Sequence, residues 1–149
     1  MKYNIKIKTE QDIQILRESG RRLAVVLDAV SKEARPGVTT GYLNDFVYKM
    51  ITDMGDTPAF LNYKPFGAAY PYPGSICISV NDEVVHGIGG DRVLKEGDIV
   101  GLDGGVKHKG MISDSARTVA VGVISKEDEE LMRVTKEALM AGIKAAKCG

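Results

Sequence analysis

The sequence predicts an α/β fold of the α+β kind, an antiparallel sheet with a central hairpin packed by two to three helices. Two patterns and the composition carry this. Residues 98–121, DIVGLDGGVKHKGMISDSARTVAV, alternate with a period of two on either side of a Lys- and Gly-containing centre, as a β-hairpin does. Apolar residues recur at helical spacing in three other segments, each preceded by a Thr or Ser able to cap a helix. With 149 residues, 44% hydrophobic and 27% charged, the chain is long enough to bury one core.

The first element is a short strand over 3–8, where Tyr3, Ile5 and Ile7 alternate with polar residues. Thr9 then caps a helix reaching about Ala34, with Asp12 completing an acidic variant of the capping box. Ile13, Leu16, Leu23, Val26, Leu27 and Val30 form its apolar face, and Pro36-Gly37 stops it. Thr40 is expected to cap a second helix, with a stripe of Leu43, Phe46, Val47, Met50 and Ile51, ending at Gly55. Residues 57–74 read as a loop rich in aromatics, Gly and Pro, long enough to suggest that it lines a site. A strand over 75–80, a turn at Asn81-Asp82 and a second strand over 83–86 follow, then a glycine-rich turn at 87–90 and the hairpin. The last helix starts near Ser125, where SKED repeats the acidic capping box, and runs to the end.

A two-residue loop at His108-Lys109 would set Lys107 opposite Gly110 and Asp103 directly opposite Asp114, on one face. Directly opposed Cβ atoms lie roughly 4.5–5.5 Å apart, and like charges so placed repel. Two such carboxylates need a shared proton or a cation between them. A loop one residue longer would pair Asp103 with Ser115 instead. Asp103 shares its face with Ile99, Gly101 and Gly105, and Asp114 with Ile112, Ala116 and Thr118. Strand glycines are unfavourable unless something approaches the backbone closely, and these small neighbours leave room for an ion. The plainer reading is a solvated face with two incidental acids. Carboxylate oxygens suit divalent ions, but two aspartates are too few ligands for a tight site.

His86 closes the apolar pair Val84-Val85. It reads either as a structural or surface group or as one that hydrogen-bonds a substrate or moves a proton. His108, between two lysines at the hairpin tip, reads as exposed and without a role. Phe60, Tyr63, Phe66, Tyr70 and Tyr72 either pack back on the core or line a pocket for an apolar side chain. Cys77 reads as a small core residue.

Other classes are excluded by composition and pattern. Lys plus Arg equals Asp plus Glu at 20 each, so the net charge is zero. No basic excess points to nucleic acid or an anionic membrane. The longest apolar runs fall far short of a membrane span, and the N-terminus lacks the apolar block of a signal peptide. Cys77 and Cys148 make no disulfide framework, so a reducing cytoplasm is the expected location.

The first and last helices resemble each other. Setting Thr9 against Ser125 matches Asp12 with Asp128, Arg17 with Arg133, Leu16 with Met132 and Leu23 with Leu139. If this is a true repeat, a second structural unit starts at residue 125 and stops after its first helix.

Together, SICISVNDEVVHGI, the hairpin EGDIVGLDGGVKHKGMISDSARTVAVG and the RPGVTT that ends the first helix resemble the type I methionine aminopeptidases. The likeness covers essentially all 149 residues. It implies the pita-bread fold, two pseudo-symmetric halves around an antiparallel sheet. It also implies two divalent ions (Co, Mn, Fe or Zn) held by two aspartates, one histidine and two glutamates. Asp103 and Asp114 match the aspartates, and His86 matches the histidine that contacts substrate near the scissile amide. Cys77, Phe60, Tyr63, Tyr70 and Tyr72 match the pocket for the methionine side chain. The implied function is metal-dependent removal of N-terminal methionine from nascent proteins.

The family's metal-binding histidine and both glutamates belong to a C-terminal half, and the sequence stops at Gly149, before all three. Residues 1–149 are therefore expected to form a single domain, the N-terminal portion of a methionine aminopeptidase domain without its C-terminal half. Metal binding by this chain alone is expected to be weak or absent, and the chain alone incomplete or inactive. A complementary C-terminal half or a homodimer, in which Cys148 could link the copies, would supply the remainder. The alternative function is a non-catalytic half pita-bread module, or a self-associating homodimer, that binds a peptide or protein.

Overall fold

In the computed structural model, residues 7–148 are described. Helix α1 spans Glu10–Glu33, α2 Thr40–Asp53 and α3 Lys126–Ala145; the strands are β1 Thr57–Pro58, β2 Ile76–Val80, β3 Ile99–His108 and β4 Met111–Ala120. The expected strand over 3–8 falls mostly outside the described residues. No helix among them is long and apolar enough to cross a membrane.

α1 begins with the expected capping box. The Asp12 N–H donates to Thr9 Oγ1, and the Thr9 N–H donates to the Asp12 carboxylate. These bonds satisfy two backbone donors that helix geometry would otherwise leave unpaired. The cap of α2 is Thr39, one residue earlier than expected. Thr39 is extended and accepts from Tyr42 N–H. The Thr40 hydroxyl is taken up elsewhere, accepting from Gly90 N–H and donating to Gly90 O.

β3 runs through the middle of the sheet. β4 pairs antiparallel along its whole length on one side, and β2 and β1 follow one another along the other. Thr57 and Pro58, expected in the loop, pair with Lys107 and Val106 as the short β1. The expected strand over 83–86 does not form, and Val84 and Val85 are exposed there. The Glu83 side chain turns back to accept Val80 N–H, which ends the strand run at β2.

Even-numbered β3 residues face the helices. Val100, Leu102 and Val106 belong to one buried cluster with Leu23, Val26, Leu27 and Val30 of α1 and Leu43, Val47 and Ile51 of α2. Each such side chain contributes about 1.5–3 kcal/mol on burial, so this layer fixes which face of the hairpin points inward. Ser19 is the polar member of that layer, donating to Val106 O at 3.1 Å and lying 2.8 Å from Ser113 Oγ. α3 is capped by Ser125, and none of its residues is buried.

His108 is buried rather than exposed. Its Nδ1 lies 2.7 Å from Asp56 Oδ1, and Asp56 Oδ2 accepts from Arg22 at 3.0 Å. The hairpin turn explains the difference. His108 pairs with Met111, so the two-residue loop is Lys109-Gly110 and not His108-Lys109. Both loop residues have positive φ, 46° and 84°, as a type I′ turn requires, and glycine takes the second place without strain.

Candidate functional site

The turn position fixes the relation of the two aspartates. With His108 opposite Met111, Asp103 pairs with Ala116 and Asp114 with Gly105. The carboxylates are thus diagonal neighbours rather than directly opposed. The register differs from the expected one by two residues, so both remain on the same face.

That face is built from small residues. Beside the aspartates stand Gly101, Gly105, Ala116 and Thr118, and on β2 Cys77 pairs with Asp103 and Ser79 with Gly101. A Cβ on Gly105 would lie 2.9 Å from the Ala59 Cβ and 3.0 Å from the Phe60 ring. The close approach expected at these glycines is therefore made by the start of the 59–74 loop, which seats Ala59 and Phe60 against Gly105. The loop's far end is tied down by Ser75 N–H, which donates to Asn44 Oδ1 at 2.8 Å. Gly74, beside it, leaves space for the Tyr72 ring.

Tyr72 is half-buried and donates to Gly87 O at 2.8 Å. Burial raises its hydroxyl well above the usual phenol range, and Cys77 and Asp103 act the same way. Burial also raises the Cys77 thiol; the Tyr72 hydrogen bond opposes this, while Asp103 and Asp114 add to it. A thiol kept protonated is a poor nucleophile.

Asp103 lies at the centre of the group. Burial lifts its carboxyl above the usual aspartate range, the Asp114 charge lifts it further, and His86 opposes both. The fold therefore brings Asp114, Cys77, Tyr72 and His86 each within electrostatic reach of Asp103. His86 is exposed and sits in the left-handed region at φ 59°. Tyr63 and Tyr70 are exposed, and Tyr63 joins the group only through its backbone, its carbonyl accepting from Tyr72 N–H. Phe66 is fully exposed.

Among the described residues neither aspartate has a basic side chain at ion-pair distance. Two unpaired carboxylates, one with its ionised form disfavoured by burial, suit a divalent cation. Among the described residues no group of three or more His, Cys, Asp and Glu could hold a metal ion. The hydrogen bonds that Gly87 makes with Tyr72 and Ser79 were not legible in the sequence. The only signal was the glycine-rich run after His86, read as a turn.

The model of metallopeptidase family M24 matches residues 14–149. Methionine aminopeptidase 1 of Bacillus subtilis is 43% identical over 142 residues, covering 95% of this chain and 55% of its own length. The crystal structure of methionine aminopeptidase from Rickettsia prowazekii superposes with a TM-score of 0.87 at 41% identity, covering 93% of this chain and 54% of that one. The enzyme from Thermotoga maritima gives 0.88 at 38% identity, covering 97% and 56%. The architecture is the expected pita-bread fold. The chain spans about half the length of the curated relatives it matches.

Proposed function

The chain belongs to metallopeptidase family M24, and from that premise we propose that it is the N-terminal portion of a methionine aminopeptidase domain. In this reading it supplies part of the machinery that removes N-terminal methionine from nascent proteins. The observation that carries the proposal is the placement of Asp103 and Asp114 as diagonal neighbours on one glycine-lined face, beside Cys77, Tyr72 and His86.

Asp103 and Asp114 would hold divalent metal, two ions in the complete site drawn from Co, Mn, Fe or Zn. A complementary C-terminal half or a second copy would furnish the remaining ligands. When bound, such ions supply Lewis-acid charge for the peptide carbonyl and lower the pKa of a water. Phe60, Cys77 and Tyr72 wall a small apolar recess for the methionine side chain, with Tyr63 and Tyr70 on the loop rim. His86 hydrogen-bonds the substrate near the scissile amide. A cytoplasmic location belongs to the same proposal, since nascent chains are made there.

The test is methionine release from a Met-Ala-Ser peptide with added Co²⁺ or Mn²⁺, with metal binding followed by calorimetry. The chain and its Asp103→Asn variant are each measured mixed with a separately made C-terminal half of a methionine aminopeptidase, which furnishes the remaining ligands. Metal binding lost in the variant supports the reading, as does release lost with it. Equal heats and equal background release in both proteins would sink it. The second reading, a non-catalytic peptide-binding module, would then stand.

A further inference from the structure

Gly87 is held by three hydrogen bonds, two to β2 and one to Tyr72 of the preceding loop. Its carbonyl accepts from Ile78 N–H at 2.9 Å and from the Tyr72 hydroxyl at 2.8 Å, and its own N–H donates to Ser79 Oγ at 3.1 Å. A Cβ at residue 87 would stand 2.1 Å from Ile78 O, so this backbone lies flat on the strand only because a glycine is there. The residue before it, His86, holds φ 59°. A non-glycine residue keeps such a conformation only where its surroundings over-determine it.

Those surroundings can be named. The peptide plane joining His86 to Gly87 carries the Gly87 N–H, so fixing the direction of that N–H fixes ψ of His86. Ser79 is the acceptor. It is buried at 8% exposure and shares with Cys77 the face that bears Asp103. Without this acceptor the N–H can turn to water, and His86 is free to relax into the broad extended region that its side chain prefers.

We propose that Ser79 is a positioning residue for His86, its hydroxyl pinning the 86–87 peptide and with it the backbone conformation from which the imidazole projects. The inference rests on the reading of His86 as a site residue. It assigns Ser79 no contact with substrate or metal.

The test uses the whole chain and nuclear magnetic resonance, comparing wild type with Ser79→Ala and Ser79→Thr. Gly101, opposite Ser79, has no side chain and leaves room for the added methyl. Ser79→Ala is expected to speed Gly87 amide exchange by the order of tenfold. It should also lower the His86 backbone order parameter from the rigid range to below about 0.6. Amide protection in β3 and the thermal midpoint should hold, and Ser79→Thr should restore both local readouts. An unchanged His86 order parameter in Ser79→Ala, or no restoration by Thr, would overturn the proposal. If Ser79→Ala does not fold, Ser79→Cys carries the same test, since sulfur is a weak acceptor. Metal binding by the wild type and Asp103→Asn is measured alongside. Loss of the Asp103 effect with the Ser79 effect intact fells the proposed function alone. The converse fells only the role given to Ser79.

Discussion

Replacing Asp56 by alanine tests whether the buried ion network at the hairpin tip holds this sheet together. The Asp56 side chain is 4% exposed and receives two partners, His108 at 2.7 Å and Arg22 at 3.0 Å. Removing one member of a buried pair costs roughly 3–5 kcal/mol, because the partner is left uncompensated. His108, with 8% of its side chain exposed, would lose the partner of its ring nitrogen. Arg22 would fare better, since it keeps Met54 O at 2.9 Å and Glu18 at 2.8 Å. The expected cost therefore lies at the low end, about 3 kcal/mol. For a chain of this size that lowers the melting temperature by roughly 6–12 °C at a midpoint shift of 2–4 °C per kcal/mol. Calorimetry at fixed pH reads it, and Asp56→Asn, which keeps an acceptor, should lose about half as much. A fall of less than about 2 °C in Asp56→Ala would refute the reasoning, because the network would then contribute nothing net.

Asp103 carries a pH prediction. Its folded carboxyl titrates above the ordinary 3.8, because burial and Asp114 disfavour the ionised form. The folded state then binds more protons than the unfolded one across that window, so stability falls as pH rises through it. In chelator, Asp103→Asn should be more stable than wild type towards urea at neutral pH, and the gap should narrow towards pH 4. A constant gap, or a less stable variant, would contradict this. A third expectation concerns α3. Since no residue of that helix is buried, Leu139→Lys should change the stability of this chain by less than about 0.5 kcal/mol; a larger loss in urea titration would mean that α3 packs on something in solution.

Local signals made most of the architecture readable. The Thr9–Asp12 box, the stripe of α2 and the alternation of β3 and β4 are patterns within a few residues, and each formed as its spacing requires. The hairpin register stands two residues from the expected one. A type I′ turn favours glycine second, and Gly110 carries that signal. The face of the aspartates survived because side chains alternate with period two. His108 failed for a different reason. Its partner, Asp56, lies 52 residues away, and no local pattern encodes that pairing. The strand expected over 83–86 failed because Val84-Val85 has β propensity but no partner strand, while the Glu83 side chain closes the turn before it. Candidate site residues separated along the same line. Asp103, Asp114 and Cys77 follow from strand register, whereas the loop tyrosines depend on a path that composition alone does not dictate.

Gly105 shows what a missing side chain can govern. Its single hydrogen lets Ala59 and the Phe60 ring settle onto the sheet at the position paired with Asp114. The face that bears the acids and the seat of the loop thus meet at one residue. A methyl group there would act as a wedge, lifting the loop from that face. Loop position and carboxylate environment therefore vary together, and a change in the shape admitted at this face would carry with it a change in the field that Asp103 and Asp114 experience.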